Sequence, residues 1–182
     1  MTIYTRKGDD GTTGLLYGGR VPKTSSAIEA NGAVDEAQAV MGLARAEAER
    51  GSELDDLLTR LARELYVLMA EVATAPENRP KLTAGATLVT PEMVAGLEPL
   101  IDGYTERFSM PDGFVIPGQN RIAAALDVAR TVVRRAERLA IGAMAGVEDS
   151  QVIPYLNRLS DLLWTLARWQ EGESLPTRTK KE

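Results

Sequence analysis

Arginines cluster in one stretch of the chain, residues 130–138, whose spacing is helical. At about 100° per residue, four charged side chains share about one third of the helix circumference: Arg130, Arg134, Glu137 and Arg138. Valine and alanine residues fall on the opposite side, where they can pack against a core. A guanidinium group can bind two oxygens of one phosphate at the same time. The arginine row (Arg130, Arg134 and Arg138) therefore predicts a phosphate site, and the simpler interpretation is a charged face in solvent.

A glycine-rich segment near the start of the chain, residues 8–14, could hold an anion with its backbone. Its glycines permit turns in which several backbone N–H groups point at one phosphate. Basic residues flank the segment on both sides: Arg6, Lys7, Arg20 and Lys23. The segment is not a Walker A loop, because no Gly-Lys-Ser/Thr follows, and the spacing to a closing glutamate does not fit an EF-hand. A flexible N-terminal tail is the alternative.

The polar face of the last predicted helix carries groups that could complete such a site. Four of its residues share one face, opposite a leucine face: Asn157, Asp161, Trp164 and Arg168. We expect Asn157 and Asp161 to lie beside the arginine row, although an amphipathic helix with a polar surface is the alternative. Asp35 is a further candidate partner for an arginine on a neighbouring helix. A buried Asp–Arg pair would fix the direction of the guanidinium group, a role that stability alone does not require.

The composition limits which chemistry is available. The chain has 182 residues, no cysteine, no histidine and a net charge of −5. The missing residue types exclude disulfides, thiolate and imidazole metal ligands, and histidine-dependent nucleophilic triads. The acidic charge argues against a nucleic-acid partner. Any enzyme here has to work with arginine, lysine, carboxylates, backbone groups or the chemistry of its substrates.

Length and hydropathy predict one domain, residues 1–182, in a cytoplasmic protein. A single domain of this length can bury about 70% of its unfolded surface. The first residues lack the apolar core of a signal peptide. No run of about 18 apolar residues could span a membrane. We therefore expect no membrane partner.

The helical spacing of apolar residues predicts an all-α, five-helix bundle. The predicted helices cover residues 25–51, 54–74, 90–104, 121–145 and 154–170. Residues 1–24 are predicted to form a loop with at most a short strand at its start. Residues 109–118 hold two prolines and two glycines, which predicts a loop with an apolar tongue, residues 114–116. The bundle is expected to end at residue 171, and residues 176–182 of the tail (172–182) are predicted to be disordered.

Five stretches with these features occur in an order and spacing that resemble one known family. They are TRKGDDGTTGLLYGGRVPK at 5–23, ANGAVDE at 30–36, FVIPG at 114–118, ARTVVRRAER at 129–138 and YLNRLSDLLWTLAR at 155–168. The chain resembles the PduO-type ATP:cob(I)alamin adenosyltransferases. The resemblance extends over nearly the whole chain, and its last two stretches are the most specific.

The resemblance implies a five-helix bundle that assembles as a homotrimer, with active sites between adjacent subunits. The N-terminal loop, residues 1–24, would become ordered when it folds over ATP. The reaction implied is transfer of the 5′-deoxyadenosyl group of ATP to the cobalt of cob(I)alamin, which gives adenosylcobalamin and triphosphate. Mg²⁺ would accompany ATP, and K⁺ is a candidate cofactor. Candidate partners beyond the substrates are a flavin reductase and a B12-dependent mutase.

The resemblance also implies roles for individual residues. The catalytic residues would be Arg130, Arg134 and Asp35, with Asp35 paired to Arg130. The side chain of Asn157 would lie near the Mg²⁺-bound phosphates. Phe114 would sit against the lower face of the corrin, and Asp161 would also be on the corrin side. The ATP site would comprise Thr5, Arg6, Gly8, Asp9, Gly11, Thr12, Thr13, Gly14, Lys23, Arg130, Arg134, Glu137, Arg138 and Asn157.

The absence of histidine is consistent with this chemistry. Cob(I)alamin is itself a strong nucleophile, so the reaction requires no general base. The protein has to hold C5′ in line with cobalt. It also has to stabilise negative charge on the departing triphosphate, a task that suits arginines, a lysine, loop N–H groups and Mg²⁺.

The chain departs from the family pattern at several positions. Gln119 and Asn120 follow Pro117-Gly118 where a glycine and a serine or threonine are common, and Asp127 replaces a common histidine. Glu36-Ala37-Gln38 stands where Glu-Leu-Asn is usual. These changes concern the corrin side rather than the ATP site. Two other functions remain as alternatives: a non-catalytic carrier that delivers adenosylcobalamin to a mutase, and a structural bundle that uses the arginine row for subunit contacts.

Overall fold

The computed structural model describes residues 3–178, and the fold is dominated by four long helices. Two-residue and three-residue strands lie at both ends of the chain and in its centre. In chain order the elements are β1 (Thr12–Gly14), β2 (Arg20–Pro22), α1 (Ser26–Glu47), α2 (Glu53–Val72), a 3₁₀-helix (Pro76–Lys81), α3 (Pro91–Ala95), α4 (Glu98–Thr105), β3 (Val115–Ile116), α5 (Arg121–Ala143), α6 (Val152–Glu171) and β4 (Leu175–Pro176).

The four long helices run antiparallel to their neighbours. On α1 and α5, Glu36 pairs with Arg135, and Glu47 lies 3.9 Å from Arg121. The Arg45–Asp55 ion pair (2.6 Å) joins the end of α1 to the start of α2. Contacts between α5 and α6 follow the same antiparallel order: Asp127 with Arg168, and Glu137 with Asn157.

Alanine residues allow α1 and α5 to pack closely against each other. The buried side of α1 is lined by small residues that include Ala30, Ala33 and Ala37. The facing side of α5 presents Ala129 and Ala136, which are fully buried. Small side chains let the two helix backbones approach, so the opposite side of α5 is free to present long charged side chains. Leucines of α2 and α6 fill the rest of the core.

The helix predicted over residues 90–104 is two short helices, α3 and α4. Pro99 has no backbone N–H to continue the hydrogen-bond ladder of α3, so a new helix begins at Glu98 with proline in its first turn. The described residues therefore contain six α-helices instead of the predicted five. The bundle built by the four long helices is unchanged by this break.

Residues predicted to be a loop near the start of the chain form a β-hairpin. β1 and β2 pair antiparallel, with Thr13 opposite Val21. Beyond β1, the Leu16 backbone N–H donates to the carbonyl oxygen of Ala73 (2.8 Å), just past α2. The hairpin is thus attached to the bundle end that holds the start of α1 and the end of α2, which we call the hairpin end.

The predicted tongue and part of the predicted tail pair with each other. β3 and β4 run antiparallel, with Ile116 opposite Leu175. The Thr177 backbone N–H and side-chain hydroxyl both donate to the carbonyl oxygen of Phe114, at 2.9 and 3.0 Å. The prediction of disorder is therefore wrong for residues 176–178, and residues 179–182 lie outside the described part. This sheet adjoins the start of α5 and the end of α6, which we call the tongue end of the bundle.

The described helices include none that is both long enough and apolar enough to cross a bilayer.

Candidate functional site

The arginine row lies on the side of α5 that faces away from the core. Arg134 and Arg138 are exposed, and Arg130 is partly buried with 31% of its side chain accessible. The Arg138 guanidinium donates to the backbone carbonyl of Arg134 (3.0 Å). Within residues 3–178, the Arg134 guanidinium has no hydrogen-bond or ion-pair partner. Arg134 is therefore a cation whose donors are available to a ligand.

The last helix supplies a polar contact to this face, as the sequence predicted. The Asn157 side-chain amide donates to Glu137 (3.0 Å) and places α6 beside the row. The Asn157 carbonyl oxygen accepts from Arg158 (3.1 Å), which also pairs with Glu98. Asp161 lies 4.0 Å from Arg158 and is exposed. The structure thus brings Glu137 and Asn157 together, whereas Asp161 lies on the neighbouring exposed surface.

The pairing of Asp35 with Arg130 is wrong for the single chain. Asp35 is exposed on α1 and has no ion pair in the described part of the protein. The carboxylate next to Arg130 is that of Asp127, at 3.4 Å. Asp127 lies one turn earlier on the same helix, so it reaches the guanidinium without bridging two helices. The position of Arg130 is therefore determined within α5 and α6.

Arg168 is buried, although the sequence placed it on a polar face. Its side chain is 1% exposed and donates to Asp127 (2.6 Å), and its Nε also pairs with Glu171. Its guanidinium lies 5.5 Å from the centre of the Trp164 ring. Burial raises the pKa of Glu171, whose side chain is inaccessible. Sequence reasoning missed this cluster, although the three-residue spacing of Asp127 and Arg130 was a usable signal.

The glycine-rich loop is shaped by hydrogen bonds of its own. Asp10 accepts from the backbone N–H and hydroxyl of Thr12 (2.9 and 2.8 Å). These bonds hold the pKa of Asp10 below its ordinary value. Gly11 has a φ of 80°, a conformation that glycine adopts without strain. The loop is thus a series of turns rather than a tail.

Two basic side chains brace the loop from β2 and the residue after it. Arg20 donates to the Thr12 hydroxyl and to the Lys7 carbonyl oxygen. The ammonium group of Lys23 lies against Gly8, where a Cβ would be 3.1 Å from the Lys23 nitrogen. The predicted loop residue Gly8 and the predicted phosphate-binding Lys23 therefore lie together. The bracing role of Arg20 was not predicted.

Phe114 lies at the tongue end with almost its whole side chain accessible. It is 89% exposed, while its carbonyl oxygen is held by Thr177. Ile116 and Leu175 beside it are each a little less than half exposed. A fixed backbone with an exposed aromatic ring suits contact with a flat apolar surface.

The loop and the tongue lie at opposite ends of the same bundle. α1 separates these ends and has 22 residues, which corresponds to about 33 Å. The arginine row lies between them along α5. Within one chain, therefore, one small ligand cannot touch both the loop and Phe114.

Groups of three or more acidic side chains that could hold a metal ion by themselves do not occur in residues 3–178. Glu137 and Asn157 provide side-chain oxygens beside the arginine row. They are suited to a hard cation that also binds phosphate oxygens.

Comparison with known proteins identifies a family. The family described as cobalamin adenosyltransferase matches residues 3–170. The corrinoid adenosyltransferase of Mycobacterium tuberculosis is 41% identical over 169 residues, which cover 91% of this chain and 86% of the relative. That of Bacillus subtilis is 38% identical over 173 residues, covering 92% and 86%.

Solved structures resemble the whole chain. A variant PduO-type ATP:corrinoid adenosyltransferase from Lactobacillus reuteri, complexed with cobalamin and ATP, superposes with a TM-score of 0.86 at 28% identity. The match covers 99% of this chain and 98% of that one. A further variant from the same organism, complexed with ATP, gives a TM-score of 0.85 at 27% identity, covering 97% and 100%. On the family match and these identities, the chain belongs to the cobalamin adenosyltransferase family.

Proposed function

We propose that this protein transfers the 5′-deoxyadenosyl group of ATP to the cobalt of cob(I)alamin and releases triphosphate. Membership of the family supports the reaction, as do relatives named corrinoid adenosyltransferase and similar structures that hold cobalamin and ATP. The observation that carries the proposal is the Arg134 guanidinium, which has no partner in residues 3–178. It lies on a helix face that also presents Arg130, Arg138 and the Glu137–Asn157 pair. This is the reaction of a cob(I)yrinic acid a,c-diamide adenosyltransferase.

The reaction needs charge stabilisation more than proton transfer. An electron pair of Co(I) forms the bond to C5′, while the C5′–O bond breaks and its electrons stay on the triphosphate. Negative charge therefore grows on the leaving group, where cationic donors lower the barrier. Arg134 supplies a positive charge that is not paired with a carboxylate in the described part of the chain, whereas Arg130 is already oriented by Asp127. No group in this scheme has to remove a proton.

Mg²⁺ enters with ATP in this proposal. The side-chain oxygens of Glu137 and Asn157 would lie near the metal-bound phosphates, and the metal would neutralise part of the triphosphate charge. The arginine row, Lys23 and the backbone N–H groups of the loop would stabilise the remaining charge. K⁺ is a candidate second cation, a flavin reductase is a candidate source of cob(I)alamin, and a B12-dependent mutase is a candidate recipient of the product.

We also propose that the active site combines two subunits of a homotrimer. The loop with Lys23 and the tongue with Phe114 lie at opposite ends of one bundle, so a site that contains both needs the loop of one subunit and the tongue of another. In a cyclic assembly, a head-to-tail contact brings different surfaces of neighbouring copies together. The exposed carboxylate of Asp35 would then be available to an arginine of the adjacent subunit.

The reaction is tested anaerobically with purified protein, MgATP and chemically reduced cob(I)alamin. We expect the visible spectrum to change to that of adenosylcobalamin only when both substrates and the protein are present. A spectrum that stays unchanged while calorimetry detects ATP binding would contradict the proposal. It would favour the alternative of a non-catalytic adenosylcobalamin carrier.

The two-subunit site is tested by mixing two inactive variants. Lys23→Ala impairs the loop, and Phe114→Asp places a charge where the corrin would lie. In randomly mixed trimers, each interface has about one chance in four of combining an intact loop with an intact tongue, so about a quarter of wild-type activity should return. Unchanged inactivity after unfolding and refolding the mixture would show that each site lies within one subunit.

A further inference from the structure

Asp127 connects a buried ion-pair cluster to the arginine row. One of its carboxylate oxygens accepts from Arg168 Nη2 at 2.6 Å, and the other lies 3.4 Å from Arg130 Nε. Asp127 and Arg168 are buried, with side chains 8% and 1% exposed, whereas 31% of Arg130 is accessible. The geometry points to Asp127, fixed by Arg168, as a positioning residue that directs the Arg130 guanidinium toward the nucleotide. This inference rests on the proposed function.

The positioning role of Asp127 follows from which atoms of Arg130 it contacts. It contacts Arg130 through Nε, and no other partner of Arg130 occurs in the described part of the chain. The two terminal nitrogens of Arg130 therefore remain available. A guanidinium group that is held at one edge still presents donors for phosphate oxygens. Asp127 thus orients Arg130 without occupying all of its donors.

Arg168 gives Asp127 a fixed position. The Arg168 guanidinium pairs with Asp127 and Glu171 and lies against the Trp164 ring. The cluster contains two cations, Arg130 and Arg168, and two carboxylates, so its formal charge is balanced. A buried cluster of this kind seldom adds stability over apolar packing, which leaves the orientation of Arg130 as its clearest consequence.

Arg134 provides the comparison within the same row. It has no carboxylate partner in residues 3–178, so its side chain loses conformational freedom only when the nucleotide binds. Arg130 has lost much of that freedom in advance. A donor that is oriented in advance contributes more to a transition state than one that first has to be ordered.

The test compares Asp127→Asn with wild type in the adenosylation assay. We expect kcat/KM for ATP to fall about tenfold, with KM for cob(I)alamin unchanged, because one donor is misdirected rather than removed. Asp55→Asn is the matched control. Asp55 is also a buried aspartate paired with an arginine, Arg45, but it lies at the start of α2. This control should lower the melting temperature and leave both kinetic constants unchanged.

A double-mutant cycle tests whether Asp127 acts through Arg130. The loss of transition-state free energy, calculated from kcat/KM for ATP, should be smaller in the double variant Asp127→Asn/Arg130→Lys than the sum of the losses in the two single variants. Additive effects, or a kcat/KM for ATP within twofold of wild type in Asp127→Asn, would overturn the inference. If Asp127→Asn does not fold, Arg168→Lys replaces it, because lysine keeps the charge but cannot bond Asp127 and Glu171 in the same geometry. It should give the same selective loss in ATP kinetics, and unchanged ATP kinetics would likewise overturn the inference.

Failure of the inference is distinguishable from failure of the proposed function. A wild-type protein that forms no adenosylcobalamin contradicts the proposed function. An active wild type whose Asp127 variants behave like Asp55→Asn contradicts the positioning role alone.

Discussion

The Leu16 backbone N–H donates a 2.8 Å hydrogen bond to the carbonyl oxygen of Ala73. This bond attaches the turn of the N-terminal hairpin to the residue that caps α2. The other end of the hairpin holds the glycine-rich loop beside Lys23, which precedes α1. The loop is therefore held relative to the bundle at two points. Its backbone N–H groups have fixed orientations in which they could bind an anion.

Arg20→Ala should weaken ATP binding. Arg20 bonds the Thr12 hydroxyl and the Lys7 carbonyl oxygen across the hairpin. Losing these bonds to neutral groups should raise the Kd for MgATP by up to about tenfold, as measured by calorimetry. The melting temperature should hardly change, because Arg20 is exposed. Arg121→Ala is the control, since Arg121 is 86% exposed at the tongue end. Equal Kd values for the two variants would show that Arg20 does not shape the loop.

Arg134→Ala should lower kcat far more than it affects folding. Removing one donor to a developing anion costs about 3 kcal/mol in the transition state, or about a hundredfold in rate. The Arg134 side chain is exposed and has no partner in the described residues, so its removal breaks no contact of the fold. The control is Arg135→Ala, which removes the pair with Glu36 on the neighbouring helix. Turnover near wild type in Arg134→Ala would refute its catalytic role.

Phe114→Ala should slow the reaction selectively. The ring is 89% exposed, so its removal should leave the melting temperature unchanged. If the ring covers the lower face of the corrin, the variant should lose more of the wild-type rate with cob(II)alamin under reductant than with cob(I)alamin prepared in advance. Leu43→Ala, another exposed apolar side chain, serves as the control. An equal loss of rate in both assays would remove the corrin-face role.

Asp55 should make the stability of the fold depend on pH. A backbone hydrogen bond from Gly51, together with Arg45, lowers the pKa of Asp55 below its ordinary 3.8. A carboxyl group with a lowered folded pKa stabilises the fold above the unfolded pKa, and this contribution is lost as pH falls through the folded pKa. Urea unfolding should therefore find Asp55→Asn less stable than wild type at pH 6. The difference should shrink below pH 3.8, and a constant difference across this range would contradict the assignment.

The long helices could be predicted from sequence because their signal is local. Apolar residues repeat at helical spacing over 20 or more residues in α1, α2, α5 and α6. Asn120 precedes α5, and its side chain accepts from the Ala123 N–H at 2.8 Å, a bond with which asparagine commonly caps the start of a helix. Such signals do not depend on the rest of the chain.

The short strands could not be predicted because their partners are distant in sequence. β3 and β4 have two residues each and pair over about sixty positions, which leaves no periodicity to detect. The hairpin likewise depends on the Leu16–Ala73 bond to a helix far along the chain. Tertiary contacts, rather than local propensity, select these strands.

The site was predictable in part. Helical spacing placed the arginine row on one face and Asn157 beside it, and the Glu137–Asn157 bond confirms that placement. The same reasoning put Arg168 on a polar surface, where the structure has it buried. A helical wheel assigns directions but not neighbours, so it could not show that Asp127 and Glu171 would surround Arg168.

The most direct test of adenosyl transfer is the ratio of triphosphate released to adenosylcobalamin formed. Protein, MgATP and excess cob(I)alamin are incubated without oxygen, and both products are quantified from the same samples over time. Transfer of the adenosyl group predicts one triphosphate released per adenosylcobalamin formed at every time point. Neither pyrophosphate nor ADP should be released in proportion to adenosylcobalamin. Release of ADP or phosphate without adenosylcobalamin, or no release at all, would contradict the account.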